Sequence, residues 1–427
     1  MKRRTLTAIA LALSAGFGLS ACAGAAGPAD NAGAQDGKTT LSVSVWNYEG
    51  TPEFKALFDA YEAANPGINI EPVDILADDY PQKVTTMLAG GDTTDVLTMK
   101  NVIDYSRYAN NGQLQEINDV VDTVGKDKLA GIDAFDLDGK YFAAPYRQDF
   151  WLLYYNKDMF KAAGIADPTD LTWDQYADIA KKLSTTKDGK KVYGTYQHTW
   201  RSVVQAISAA QNDADQNSGE YGFMKDQYNT ALDLQTSGAT LPYGTAKSQK
   251  TSYRTMFETG QAAMMPMGTW YIAGILEAKK AGKTDVNWGL APMPQKTADG
   301  EITTFGSPTA FAVNKNAKHS DEAKKFIQWA AGAEGAKAIS AIGVVPALQD
   351  ASVTEAYFTL DGMATDELSK KAFSPDKTAL EMPVSDKSAA TDTILNQEHD
   401  LIMVGEKSVD DAITEMDKRV KKEVLNQ

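Results

Sequence analysis

Leu41, Val43 and Val45 alternate with serines, the two-residue period of a half-buried strand, and predict a strand over Leu41–Trp46. Thr51 and Pro52 then supply a helix start, because Thr can cap and Pro suits the first helical position. Phe54, Leu57, Phe58 and Tyr61 follow at the spacing of one helical face, and Asn65-Pro66-Gly67 stops the run. Ile68–Val73 reads as the next strand, Tyr80–Ala89 as a helix ended by Gly90-Gly91, and Asp95–Met99 as a third strand. Strands and helices alternating at short intervals imply right-handed βαβ units and a mostly parallel sheet, so the fold class is α/β.

The middle of the chain has the same character with less regularity. Asp138-Gly139 marks a hairpin turn. Phe150–Tyr155 predicts a strand, and Lys157–Ala163 a helix ended by Gly164. Thr172 caps a helix over Trp173–Leu183, and Trp200–Gln211 reads as another. Ala262–Met265 predicts a buried strand that leads through Pro266-Met267-Gly268 into a helix from Thr269 or Trp270 to Lys280. Ala310–Val313 is a strand before the helix Ser320–Ala331, and the C-terminal third is mostly helical. No internal repeat is present.

The N-terminus changes the cellular context. Met1-Lys2-Arg3-Arg4 is basic, Leu6–Leu19 is apolar or small, and Leu19-Ser20-Ala21-Cys22 closes the segment. That is the plan of a secretion signal at residues 1–21, shorter than the ~20 apolar residues of a membrane span. Cys22 is the single cysteine, which excludes an internal disulfide. Residues 22–40 are rich in Ala and Gly without periodicity and read as a tether spanning roughly 20–25 Å on average. No later stretch is apolar enough to cross a bilayer.

With 427 residues, 43% of them hydrophobic, the chain can build two ordinary domains. Its 42 basic and 57 acidic side chains give −15, and loss of Lys2, Arg3 and Arg4 with the leader leaves 39 against 57, or −18. Such a surface repels phosphate backbones and argues against a nucleic-acid partner.

Several phrases, taken in order, carry a family likeness. They are Tyr61-Glu62-Ala63-Ala64-Asn65-Pro66-Gly67-Ile68, Ala144-Pro145-Tyr146, Leu153-Tyr154-Tyr155-Asn156-Lys157-Asp158 and Phe257-Glu258-Thr259-Gly260-Gln261-Ala262-Ala263-Met264-Met265. Gly306-Ser307, Phe311-Ala312-Val313-Asn314-Lys315, Ala323-Lys324-Lys325-Phe326-Ile327 and Gly343-Val344-Val345-Pro346 continue the series. The chain resembles bacterial extracellular solute-binding proteins of the carbohydrate-importing family 1, and its leader resembles a lipoprotein signal. The resemblance implies a two-lobed periplasmic-binding-protein-like fold with the ligand cleft between lobes joined by hinge segments. It implies an N-terminal lobe of 41–147 plus 307–350 and a C-terminal lobe of 148–306 plus 351–427. Hinges are expected near Tyr146–Asp149 and Gly306–Thr309, with a third crossing near Asp350–Thr359. It implies lipid on Cys22, residence at the extracytoplasmic face of the cell membrane, and a monomer without cofactor. This subunit would deliver an oligosaccharide to the membrane subunits and ATPase of an ABC importer, without catalysis.

Open α/β sheets bind ligands beyond the C-terminal ends of their strands. Three such ends are aromatic or polar: Trp46-Asn47-Tyr48-Glu49, Lys100-Asn101 and Gly268-Thr269-Trp270-Tyr271. Sugars offer apolar C–H faces to flat rings and hydroxyls to fixed donors and acceptors. Trp46 and Trp270 are therefore candidates for stacking, and Asn47, Glu49, Lys100, Gln148 and Asp149 for hydroxyl contacts. Gly268 would let backbone approach closely at a helix N-terminus. Each has a plainer alternative: Trp46 as core, Lys100 as a solvated charge, Asp149 as a tie for backbone. Trp151 and Trp200 stay open between core and cleft, whereas Trp173, Trp288 and Trp329 read as packing. An exported glycosidase would need two carboxylates across a cleft, and 57 acidic residues let any pair be invented. A metal receptor is disfavoured because His198, His319 and His399 have no ligand spacing. A polyamine or peptide receptor stays open on the strength of Glu49, Asp149 and the net charge.

Overall fold

The computed structural model describes residues 37–187, 189–298, 300–350 and 356–427. The leader, Cys22 and nearly all of the tether lie outside the described residues. The strand begins at Thr39, so the last two residues assigned to the tether belong to the sheet.

Twelve strands occur among the described residues: β1 (Thr39–Trp46), β2 (Ile68–Ile75), β3 (Val96–Met99), β4 (Asp136–Leu137), β5 (Lys140–Tyr141) and β6 (Ala143–Asn156), then β7 (Thr185–Lys187), β8 (Lys190–Thr195), β9 (Ala262–Gly268), β10 (Trp288–Ala291), β11 (Thr303–Val313) and β12 (Lys377–Leu380). Ten of them form one sheet in the order β2-β1-β3-β11-β6-β9-β8-β7, with β10 on β6 and β12 on β11. The β1–β2 and β1–β3 pairs are parallel as expected. The centre departs from the expected parallel sheet, because β11 is antiparallel to both β3 and β6, and β6 is antiparallel to β9. β6 runs from one core to the other and β11 returns beside it, so the two must oppose.

Two main cores lie on either side of this crossing. One takes the inward faces of β1 and β3, Phe54, Leu57, Phe58 and Tyr61 of the helix Pro52–Ala64, and Phe326 of the helix Ser320–Ala331. It includes β6 as far as Tyr146 and β11 from Ala310 onward. The other takes β6 from Phe150 and β11 up to Phe305, with β9, β10 and the helices Trp173–Leu183 and Tyr271–Lys280. A third cluster joins the helix Lys225–Thr236 to the C-terminal helices Ser388–Met403 and Val409–Arg419. The fold is thus a two-lobed α/β structure whose lobes share two crossing strands.

The crossing itself is tightly specified. Thr309, Pro308, Ser307 and Gly306 pair with Arg147, Gln148, Asp149 and Phe150, and the register shifts between Thr309 and Ala310. A proline is tolerated at such an irregularity because the ladder there does not require its missing N–H. Gly306 is required for a different reason: a Cβ there would lie 2.0 Å from the Asp149 carbonyl oxygen. A third segment joins them, since Gln148 N–H donates to the Val345 carbonyl (3.1 Å) and Ala347 N–H to the Tyr146 carbonyl (3.0 Å).

Candidate functional site

The ends of β9 and β8 bring a group of rings together. β9 continues through Pro266 to Gly268, longer than expected, and Trp270 stands at the N-cap of the helix Tyr271–Lys280. The Trp270 ring is half-buried, 5.5 Å from Trp151 edge-on and 6.0 Å from Trp200. Trp200 is also half-buried and packs on His198 (4.3 Å) and Tyr253 (6.1 Å). Behind them Trp151, 1% exposed, stacks on Phe305 at 4.9 Å. Two indoles thus stay partly exposed, backed by a third that is core. Gly268 acts differently from expectation. The space its Cβ would take is filled by the Trp270 ring, with Cζ3 at 1.9 Å. Glycine here seats the indole rather than admitting a ligand to the backbone.

The other wall is built on the ends of β1 and β3. Trp46 is 6% exposed and meets Phe54 at 4.9 Å and Tyr80 at 5.2 Å, both edge-on. The structure packs this ring into the N-terminal core, the alternative reading of that residue. Asn47 adopts a left-handed backbone (φ 44°), and its Oδ1 accepts from Ala77 N–H (3.1 Å), so its carbonyl oxygen shapes the turn. Glu49 is exposed within the short turn Tyr48–Gly50. Lys100 is half-buried, donates from Nζ to the Ala77 carbonyl (2.7 Å), and sits 5.5 Å from the Trp46 ring centre. Burial pulls its pKa down to about 8, against the pull of Asp78 and Glu381. On the same wall burial pushes Asp104 up to about 6, although Arg107 lies 2.5 Å away.

The floor joins the walls through a buried charge network. Arg147 pairs with Glu53 of the helix Pro52–Ala64 and, through Nε at 2.8 Å, with Asp149. Asp149 also accepts from the Thr269 hydroxyl (2.9 Å) and from the Trp270 N–H. This carboxylate is therefore engaged by protein, and it anchors the turn that carries Trp270. Gln148 Oε1 is buried against Gly131 without a hydrogen-bond partner. Above the floor the walls touch, where Arg254 Nη2 donates to the Gly50 carbonyl at 2.6 Å.

Arg147, Glu53, Arg254 and Glu381 were not singled out from sequence. Arg147 lay inside the expected hinge Tyr146–Asp149, but its partner Glu53 is 94 positions away. Glu53 in a first helical turn reads as an ordinary dipole-compensating charge. The histidines have separate tasks: His319 N–H caps onto Asp95 (2.9 Å) and His399 Nδ1 faces the Tyr228 hydroxyl (3.1 Å). Burial holds His198 down to about 4, and the charge of Lys100 adds to that depression. Among the described residues no group of side chains could hold a metal ion, and no helix is long and apolar enough to cross a membrane.

The arrangement is one of rings, fixed hydrogen-bonding groups and a hinge. Three known proteins are similar to the chain as a whole. A sugar transporter from Rhizobium etli, solved in an open conformation, is 36% identical, with TM-score 0.73 over 90% of this chain and 99% of that one. A substrate-binding protein of an ABC system from Listeria monocytogenes, in complex with cycloalternan, is 21% identical, with TM-score 0.78 over 90% and 98%. A diacetylchitobiose-binding protein of Streptomyces coelicolor is 25% identical over 367 residues, covering 81% of this chain and 82% of that one. The sequence pattern of the bacterial extracellular solute-binding protein family matches residues 47–337, more than half of the chain. The chain therefore belongs to the bacterial extracellular solute-binding protein family, whose members bind a solute rather than transform it.

Proposed function

We propose that this protein captures an oligosaccharide in the cleft between its lobes and delivers it to an ABC importer. The observation that carries the reading is the half-buried pair Trp270, seated on Gly268, and Trp200, both backed by Trp151. Flat, partly exposed rings suit the apolar face of a sugar, and the polar groups of the opposite wall suit its hydroxyls. The sugar-binding relatives support the same class of ligand. In this reading 41–147 with 307–350 forms one lobe, and 148–306 with 351–427 the other. Lys100, Asn47, Glu49 and Gln148 border the ligand, while Asp149 and Gly268 hold Trp270 in place. The protein acts as a monomer, and its partners are the importer's membrane subunits and ATPase. Lipid on Cys22 holds it at the outer face of the cell membrane. The polyamine alternative loses one of its carboxylates, because Asp149 is spent on Arg147, Thr269 and the Trp270 N–H.

A thermal-shift screen against neutral oligosaccharides, amino acids, peptides and polyamines tests the ligand class. An oligosaccharide at 100 times its Kd should stabilise the native state by about 2.7 kcal/mol. A shift with polyamines or peptides and none with sugars would replace this reading.

A further inference from the structure

Two charged side chains flank the hinge portion of β11 without closing on each other. Lys100 comes from the end of β3, and its carbonyl accepts from Thr309 Oγ1 at 3.3 Å. Glu381 follows β12. Its N–H donates to the Gly306 carbonyl (2.8 Å), and its carbonyl accepts from Gln216 Nε2 (2.7 Å). Both are thus tied to one strand at positions three residues apart, about 10 Å at the rise of a strand. Both side chains are half-buried. Each lies in the other's electrostatic field, yet they form no ion pair within 4.0 Å. Lys100 uses one of its three N–H donors, on Ala77. The carboxylate of Glu381 meets the Ser202 side chain. The nearby Arg201 is occupied by Asp392 (2.6 Å), Gln205 (3.1 Å) and Gln216 (2.8 Å).

Separated, half-buried opposite charges keep most of their desolvation cost and little of their attraction. They also leave spare donors on one side and spare acceptor sites on the other. A cationic ligand would be repelled by Lys100 and an anionic one by Glu381. A neutral group that accepts and donates at neighbouring atoms meets both demands, and adjacent hydroxyls do so. We propose that Lys100 and Glu381 form a polar pincer for adjacent hydroxyls of a neutral sugar, Lys100 donating to one oxygen and Glu381 accepting from the neighbouring hydroxyl. This rests on the sugar reading above and adds Glu381 to the site as a specificity-determining residue.

The test uses D-mannitol, lactose and diacetylchitobiose as probes, taking forward whichever binds the wild type. Glu381→Gln and Lys100→Gln should each weaken that probe about 10- to 150-fold, the range for a hydrogen bond to a charged group. Monodeoxy forms of the probe separate recognition from structure. The form lacking the hydroxyl read by Glu381 should bind wild type weakly, and should lose less affinity on Glu381→Gln than the parent sugar does, because the amide keeps only a neutral acceptor. Melting of the ligand-free variants controls for folding, and if Glu381→Gln unfolds, Lys100→Gln carries the test from the opposite wall. Unchanged affinity in the folded variants, or the same deoxy penalty in variant and wild type, overturns the pincer and leaves the sugar reading standing. Failure of the wild type to bind any neutral sugar overturns both.

Discussion

Replacing Gly268 with alanine probes how the candidate platform is held. The added Cβ would lie 1.9 Å from Cζ3, 2.2 Å from Cε3 and 2.2 Å from Cη2 of Trp270, and these three are its nearest neighbours. Carbon atoms prefer separations of ~3.5–4.0 Å, so the indole must move by well over an ångström. It is half-buried and can swing toward the cleft, whereas β9 is held in register by β6, with Trp151 opposite Gly268. Overpacking of this kind costs about 1–3 kcal/mol. The backbone of Gly268 is not in the left-handed region, so alanine itself carries no conformational penalty and should gain about 0.4–1 kcal/mol by restricting the unfolded chain. The loss should therefore appear only when the ring is present. Urea unfolding of wild type, Gly268→Ala, Trp270→Ala and the double variant, followed by far-UV circular dichroism, reads the coupling directly. Gly268→Ala should cost about 1–3 kcal/mol more in the wild type than in the Trp270→Ala background, where it should be neutral or slightly stabilising. Equal losses in both backgrounds would refute the seating of the indole on Gly268.

Three further outcomes follow. The folded protein depresses the pKa of Lys100 to about 8, so between about 8 and its ordinary value the unfolded chain holds more protons and stability rises with pH. Sugar affinity should move the other way, falling as pH passes about 8 and the ammonium charge is lost; Lys100→Gln should flatten both slopes, and a variant retaining them would show that Lys100 is not their source. Arg254→Ala removes the 2.6 Å bond to the Gly50 carbonyl, so the ligand-free protein should open and its radius of gyration rise in small-angle scattering; an unchanged value would deny that contact any role in closure. Cys22→Ala should abolish the lipid-dependent mass and leave the protein unprocessed by the lipoprotein route, or released if another peptidase cleaves it; identical membrane retention and an identical lipid-dependent mass in both forms would rule out the anchor.

Local patterns were legible wherever local physics decides. The helices Tyr80–Ala89 and Ser320–Ala331 lie where their apolar spacing predicts, and Thr172 caps Trp173–Leu183 with Gln175 completing the capping box. Asp138 and Gly139, both at positive φ, make the hairpin turn between β4 and β5. The crossing strands were read too short, because Pro145, Pro308 and Gly306 resemble breakers. In the sheet Pro308 sits beside the register shift, and Gly306 admits the Asp149 carbonyl. Pro266 was likewise no stop, since β8 ends opposite Met264 and asks for no N–H from β9 beyond it. The expected helix Trp200–Gln211 begins instead with a short tight turn at Arg201–Val203 before Gln205–Asn212. Arg201 there is drawn into a buried network with Asp392 and Gln216.

The candidate site divides along the same line. The place of Trp270 just beyond a strand end was legible, because a buried run, a proline and a glycine precede the helical stretch. The pairing of Arg147 with Glu53, the reach of Arg254 to Gly50 over 204 positions, and the meeting of Glu381 with the hinge all depend on which segments cross. No spacing rule links such residues. The role of Asp149 turned on the same thing, since only the neighbouring β9 turn makes it a tie.

Calorimetric titration of the sugar that binds the wild type against Trp270→Ala, with Trp270→Phe beside it, tests the central claim most directly. The account predicts saturable binding by the wild type and a loss of about 2–4 kcal/mol on removing the ring, by analogy with aromatic hot spots. Phenylalanine should lose less, and the ligand-free Trp270→Ala protein should stay folded. Unchanged affinity in a folded Trp270→Ala protein would contradict the claim that this indole forms the sugar platform.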